Sequence, residues 1–358
     1  MTKPKLPIAV FYEHQEWFRP LFAELDRRGT PYKRLDARSH SYDPGSTESG
    51  FSLLFNRMSS SAYTRGNGHG IYYAAGYIAH LERTGTPVVN GSRAFAIETS
   101  KSSQLSLLAS LGFAFPRTIV INSADEATAA ASRLGYPVIV KPNIGGAGSG
   151  IVRYDSRAEL EHAVDTGAFD LGFQRMALVQ EYVPPRGGYI TRVETLDRQF
   201  LYAIQVFTSG DSFNLCPADA CQTPVADSER IAAEAAALET VGQRSGAGSM
   251  PSALQPASTA GPSPSAEIAG AACPVEAVRR GFRVEACSPP ADAIDSVIAI
   301  ARAADMDVGG VEYIIDDRDG RMLFYDINVL SNFVADAPRI VGFDPHDRLV
   351  DYLERRAF

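Results

Sequence analysis

An α/β fold whose later part forms α+β lobes is predicted by three features of this chain. Short apolar runs of strand type alternate with amphipathic helical stretches through roughly the first 95 residues, the pattern of a layered βαβ unit. Two later stretches, residues 189–208 and 308–329, alternate with a period of two around turn-forming "LDRQ" and "DRDG", as antiparallel hairpins do. A glycine-dense segment, "KPNIGGAGSGIV", joins two strand-like runs instead of feeding a helix.

In chain order, "IAVFY" reads as a strand, "EWFRPLFAELDRRG" as an amphipathic helix and "YKRLD" as the returning strand. "FSLLFNRM", the helical "IYYAAGYIAHLERTG" and the short "PVVNG" complete a small N-terminal domain over 1–95. "AFAIETSKSSQLSLLASLG" has helical periodicity throughout and stops at Gly112. "FPRTIVI" is a strand, "SADEATAAASRLG" a helix, and "YPVIVKPN" the strand that enters the glycine segment. "IVRYD", "SRAELEHAV" and "ALVQEYV" follow as strand, helix and strand, closing a second unit at 96–183. The third, 184–358, holds both hairpins, the helix "DAIDSVIAIARAAD" between them and a last helix "PHDRLVDYLERRA". Within it, "SERIAAEAAALETVG" is helical, and residues 243–270 are rich in Ser, Ala, Pro and Gly with few large apolar side chains. That composition predicts a disordered insertion.

At 358 residues with 45% hydrophobic content, the chain is long enough for two or three cores. A net charge of −8 argues against a nucleic-acid surface as its main purpose. No apolar run reaches the roughly 18 residues of a spanning helix, and the N-terminus lacks a signal-peptide core, so a cytoplasmic location is expected. Four scattered cysteines make no disulfide framework, and "CPADAC" has no standard zinc spacing; free thiols are expected.

Chemistry concentrates in the last hairpin. Glu312 lies on its first strand, and Asp326 and Asn328 are two apart on its second, so these two share a face. Such carboxylates could be solvated, but "GGVEYII" and "MLFYDINVL" are buried-strand text, where a carboxylate needs a partner or a metal. Three hard oxygen donors suit Mg²⁺ with phosphates and water completing its shell. Lys141 ends a buried strand, and the glycines from Gly145 to Gly150 would let backbone N–H groups close over phosphate oxygens. Together these point to a nucleoside triphosphate.

The ordered set "SKSSQLSLLASLGFAFPRT", "VIVKPNIGGAGSGI", "LVQEYV", "TRV", "FNL" and "GGVEYI…FYDIN" resembles the ATP-grasp carboxylate–amine ligases, above all the glutathione synthetases and ribosomal-protein glutamate ligases. The likeness runs from about residue 88 to 345, insertion excluded. It implies an ATP-grasp fold, with a Rossmann-like pre-ATP-grasp domain and two lobes clamping ATP. It also implies an ATP-dependent ligase that activates a carboxylate as an acyl phosphate, joins it to an amine and releases ADP and phosphate.

Position by position, the resemblance implies that Lys101 and Lys141 contact ATP from two sides of the cleft, under the loop containing Gly145, Gly146, Gly148 and Ser149. Gln180, Glu181, Tyr182 and Val183 would read the adenine edge, Asn214 would face the phosphates, and Arg192 and Lys141 would be catalytic. Glu312, Asp326 and Asn328 would hold magnesium, expected as two ions, with Mn²⁺ as an alternative. The expected partners are a small-molecule carboxylate and amine, such as amino acids or short peptides. The alternatives are a protein or ribosomal peptide acceptor, or a non-catalytic ATP-binding sensor or scaffold; a homo-oligomer is compatible with each. No nucleic acid or membrane partner is expected.

The chain also departs from the family. Gln205 and Val206 stand where a second basic residue is common, Cys216 to Asp219 replace basic and glycine residues, and "VLSNF" follows Asn328 where small residues and proline are usual. The acceptor is therefore not transferable from known members. Arg57 and Ser59 are open between substrate contact and ordinary surface; His69 and His346 are expected to be structural. Asn332 and Asp336 are candidate amine contacts.

Overall fold

The computed structural model describes residues 6–146, 148–207 and 283–358. Asn214, the helical stretch 228–242, the insertion at 243–270, and Cys216, Cys221 and Cys273 lie outside the described residues.

Among the described residues there are three sheets. The first is parallel, built from β1 (Ile8–Tyr12), β2 (Tyr32–Asp36), β3 (Leu53–Arg57) and β4 (Val88–Val89) in the order β2-β1-β3-β4. Every residue of β1 and β3 is buried, as expected of strands covered on both faces. Helix α1 (Arg19–Arg28) covers one face and α2 (Gly68–Arg83) the other. Strand order reverses between β1 and β3, so a crevice opens beyond their C-terminal ends.

The second sheet is antiparallel, in the order β5-β8-β6-β7: β5 (Thr118–Ile121), β6 (Val138–Pro142), β7 (Val152–Tyr154) and β8 (Ala177–Glu181). The glycine segment spans the β6–β7 hairpin, as its sequence suggests. Helices α5 (Ala127–Leu134) and α6 (Arg157–Asp165) pack beneath it.

The third sheet, also antiparallel, runs β11-β10-β9-β12-β13. It comprises β9 (Tyr189–Leu196), β10 (Gln199–Phe207), β11 (Val284–Ala286), β12 (Val308–Ile315) and β13 (Met322–Asn328). Both expected hairpins are present. One face packs on α7 (Ala291–Ala303). Residues of its other face share a core with the first sheet, α1 and α8 (Pro345–Ala357).

One expectation is corrected. The helical run after residue 94 is two helices, α3 (Ser92–Glu98) and α4 (Lys101–Ser110), broken at Thr99–Ser100. Ser100 adopts extended backbone and its hydroxyl accepts from Ser103 N–H at 3.3 Å, an N-cap that restarts the helix. Asn143, just past β6, completes the break by accepting from Lys101 N–H through its carbonyl (2.8 Å) and from Ser102 N–H through its side chain (2.9 Å). Lys101 thereby becomes the first residue of a new helix, aimed across the molecule.

Candidate active site

The third sheet sets the chemistry by register. Arg192 on β9 pairs with Glu312 on β12, and Glu312 pairs with Asp326 on β13, so three charged side chains form one row. The next row holds Glu194, Gly310 and Asn328. A bulge between Glu312 and Tyr313 leaves Tyr325 as an extra residue on β13. Strict alternation would hide Tyr325 on the far face; the bulge instead turns its hydroxyl to Glu312 Oε2 at 2.9 Å.

Hydrogen bonds tie the row together. Arg192 donates from Nε to Glu194 Oε1 (2.6 Å), from Nη1 to Glu312 Oε1 (3.2 Å) and from Nη2 to Ser331 Oγ (3.1 Å). The Asn328 amide donates to Glu312 Oε1 at 3.2 Å. Gly310 makes this possible. A Cβ there would lie 2.9 Å from both Glu194 carboxylate oxygens and 3.0 Å from Arg192 Nε.

From the second sheet, Lys141 faces the same cleft, its ammonium 5.9 Å from the Tyr325 ring centre. From the start of α4, Lys101 Nζ reaches Asp326 Oδ1 at 2.5 Å. Lining the cleft are Lys101, Lys141, Gly145, Gly146, Gly148, Ser149, Gln180, Arg192, Glu312, Asp326 and Asn328, together with Ile139, Pro142, Ile151 and Tyr325. Lys141 and Asp326 thus face each other across one cleft.

Burial and proximity set the charges. Burial and the neighbouring Lys101 ammonium push the Lys141 pKa down to about 7. For Lys101, burial pulls downward, but Asp326, with Glu312 and Glu98 adding to it, turns the net shift upward. Asp326 is the reverse: burial raises it, while Lys101, Lys141 and Arg192 together hold it below the usual carboxylate range. Glu312 is raised, chiefly by burial, with Arg192 opposing. The cleft is therefore poised to exchange protein cations for other positive charge at its carboxylates.

As a donor set, Glu312, Asp326 and the Asn328 side-chain oxygen suit a hard divalent cation. All three come from adjacent register positions of one hairpin, with phosphate-sized space above them. Among the described residues, no group of three His, Cys, Asp or Glu offers a competing metal site.

The strand-end residues Glu181, Tyr182 and Val183 do not line this cleft. Glu181 accepts from Arg117 N–H at 2.7 Å and lies 3.4 Å from the Arg117 and Arg318 guanidinium groups. Tyr182 lies under the Arg153 guanidinium at 4.3 Å, and Val183 is in the core.

Arg57 is no surface arginine. It is buried, bonded to Ser331 O and to Asn332 Oδ1 (2.9 Å). Ser59 is a buried cap whose hydroxyl accepts from Ser61 N–H. Asn332 is thus committed to Arg57, and the exposed Asp336 to Arg339. His69 is exposed and His346 pairs with Asp344 at 3.0 Å, neither in a metal cluster.

Sequence reasoning missed Asn143, Gln104, Glu98 and Tyr325. Gln104 grips the backbone of Ile327, between Asp326 and Asn328, donating to its carbonyl (2.9 Å) and accepting from its N–H (3.1 Å). Glu98 Oε2 accepts from Val329 and Leu330 N–H. Only the polar spacing along α3 and α4 could have signalled this.

Residues 101–183, which supply Lys101, Lys141 and the glycine loop of this cleft, match the family described as the carbamoyl-phosphate synthase L chain ATP binding domain. The whole chain has the ATP-grasp fold. It superposes on a RimK domain ATP-grasp protein from Sphaerobacter thermophilus with a TM-score of 0.61, covering 97% of this chain and 98% of that one at 16% identity. The ATP-grasp ligase PsnB, solved with a phosphomimetic variant of its minimal precursor, Mg and ADP, gives a TM-score of 0.60 at 16% identity, covering 99% and 100%. By sequence, the chain is 30% identical over 132 residues to the alpha-aminoadipate–LysW ligase LysX of Sulfurisphaera tokodaii, 37% of this chain and 41% of that protein. A 51-residue stretch is 41% identical to urea amidolyase of Saccharomyces cerevisiae, covering 14% of this chain. The chain spans 41% and 3% of these two relatives' lengths. No helix among the described residues is long and apolar enough to cross a membrane.

Proposed function

We propose that this protein is an ATP-dependent ligase that phosphorylates a carboxylate and transfers the acyl group to an amine, releasing ADP and phosphate. The observation that carries this reading is the convergence of Lys101, Lys141 and Arg192 with Glu312, Asp326 and Asn328 on one glycine-roofed cleft. Mere nucleotide binding would not need Arg192 bonded into the carboxylate row.

In this reading, residues 96–183 and 184–358 are the two lobes of the clamp and 1–95 the domain before it. Glu312, Asp326 and Asn328 hold Mg²⁺, expected as two ions, with Mn²⁺ able to substitute; bound there, the metal neutralises phosphate charge. Lys101, which bonds Asp326 here, would reach the nucleotide phosphates, and a cation held by Asp326 would supply the counter-charge that Lys101 now gives it. Lys141 lies beneath the phosphates, with Gly145, Gly146, Gly148 and Ser149 closing above, while Gln180 borders the adenine and the backbone of Glu181 to Val183, beyond the cleft lining, continues along its edge. Asn214 is assigned to the phosphates by its family match alone. Arg192 stabilises charge on the phosphoryl group in flight to the substrate oxygen. The closed glycine loop keeps water from the acyl phosphate until the amine attacks its carbonyl carbon and expels phosphate.

Incubation with Mg-ATP and pooled amino acids should give an amide detectable by mass spectrometry, with equimolar ADP. Lys141→Ala and Asp326→Ala should each lower amine-dependent ADP release by roughly a hundredfold or more. Unchanged turnover in both would remove this site from the reaction.

A second reading, a ribosomal peptide acceptor, is favoured by one likeness: PsnB has been solved with its precursor peptide PsnA2. Deleting residues 243–270 should then impair ligation to a peptide more than to a free amino acid; equal rates on both would discard it.

A further inference from the structure

We infer that Arg57 is the receptor for a spectator carboxylate, one carried by a substrate but not itself activated. The inference rests on the ligase reading above and specifies its substrate class.

Arg57 ends β3, opposite Tyr12 at the end of β1, at the reversal of strand order where parallel sheets present ligand-binding residues. It is 3% exposed, and its guanidinium lies 5.0 Å from the Phe55 ring centre and 5.3 Å from that of Phe18. Its hydrogen-bond acceptors are neutral, the Ser331 carbonyl and the Asn332 side-chain oxygen, both on Nη2. Nη1 is buried without a hydrogen-bond partner among the described residues.

No described carboxylate closes that gap. Glu98 and Glu194 act on Arg57 through space only. Glu98 is spent on Ser60 Oγ and the N–H groups of Val329 and Leu330; Glu194 gives Oε1 to Arg192 Nε, and its buried Oε2 makes no hydrogen bond to Arg57. Burial pushes the guanidinium down to about 9, yet it stays charged at neutral pH. A buried cation with neutral partners and an idle donor is costly, so a purely structural tie would be better made by an uncharged side chain.

The position fits a substrate group. Ser331 joins Arg57, through its carbonyl, to Arg192, through its hydroxyl, and Arg192 reaches the Glu312 carboxylate. An anion on Arg57 is thus one residue removed from the phosphoryl-transfer row. Trp17, Phe18, Phe55 and Phe333 wall the small cavity around Arg57, and with Nη1 buried and idle the fit is to a carboxylate tip on an apolar stem. Seating it requires the Ser331–Phe333 segment to give way, and Phe333 is held there at a φ of 58°. The carboxylate belongs either to the acid or to the amine, and the two are separable.

Thermal melting of the protein, with and without Mg-ADP, tests this with matched probes at constant ionic strength. Glutarate against glutaramate, its monoamide, reports a second carboxylate carried by the acid; amino acids against their α-amides report one carried by the amine. In at least one pair the carboxylate member should raise Tm more than its amide. That difference should vanish in Arg57→Met and shrink in Arg57→Lys, which keeps charge but not the fork. With no probe present, Arg57→Met should melt no lower than wild type, whereas a structural tie would make it melt lower. Persistence of the carboxylate preference in both variants, or its absence from both pairs in wild type, overturns the inference. Failure of Mg-ADP to stabilise wild type would count against the nucleotide reading, while the probe comparison would stand by itself.

Discussion

Gly310 and Lys141 show how single positions set the electrostatics of the cleft. Gly310 lies under the Arg192–Glu194 pair, both members at most 7% exposed, so an added methyl cannot be absorbed by moving them into solvent. Gly310→Ala should lower kcat by roughly ten- to a hundredfold through misplacement of Arg192, leaving Mg-ADP affinity nearly unchanged. Steady-state rates beside calorimetric binding would decide it, and an unaltered kcat would show that the position of Arg192 does not limit turnover. Lys141 titrates near 7 when folded and near 10.5 when unfolded, so between those values the unfolded chain holds more protons. Its contribution to stability is therefore most unfavourable below pH 7 and is relieved as pH rises. Nucleotide-free Lys141→Met should exceed wild type in denaturant stability at pH 6.5, by a margin that shrinks at pH 9.5. A constant or widening margin would contradict the buried-charge argument. That Lys141, Asp326 and Asn328 share a cleft was legible because strand periodicity places them; the burial of Arg57 was not, since nothing local in "FNRMSSS" announces what packs upon it.

At the level of elements, β13 is an edge strand, and its exposed side is closed by side chains rather than by another strand. Lys101 takes Asp326, Gln104 takes Ile327, and Glu98 takes Val329 and Leu330, a ladder supplied by α3 and α4. Asn90 secures the far ends, donating to Val308 O and Val329 O and accepting from Asp307 and Val308 N–H. Gln104→Leu would leave two buried backbone groups of Ile327 unpaired, at about 1–3 kcal/mol each. Urea denaturation should show a loss in that range or above, and a loss below about 0.5 kcal/mol would mean the edge is held otherwise. The strands, hairpins and most helices could be read from periodicity. The break between α3 and α4 could not, because both halves share one helical period and the interruption depends on Asn143, some forty residues later. The bulge at Tyr325 was equally hidden, since alternation assigns faces only while the register is unbroken.

For the whole molecule, the first sheet bears on the lid of the cleft. Ser60 Oγ, bonded to Glu98, lies 3.2 Å from Gly145 O, Tyr63 Oη donates to Ile144 O at 3.3 Å, and the Tyr63 ring stacks on Phe173 at 5.3 Å. Tyr63→Ala should release the lid, with faster proteolytic cleavage at residues 145–150 when no nucleotide is bound and no change in Mg-ADP. Identical cleavage rates would separate the lid from the first sheet. The fold at this scale was legible from the order of motifs, but this contact was not, because it joins segments some eighty residues apart. The third sheet holds a further consequence. Phe207 N–H donates to Arg283 O at 3.0 Å, and Val206 pairs with Val284, so the chain leaves and re-enters the sheet at neighbouring backbone positions. Such a closed neck means that the length of residues 208–282 does not set the spacing of Arg192, Glu312 and Asp326: the sheet is joined across the neck whatever lies between its two ends.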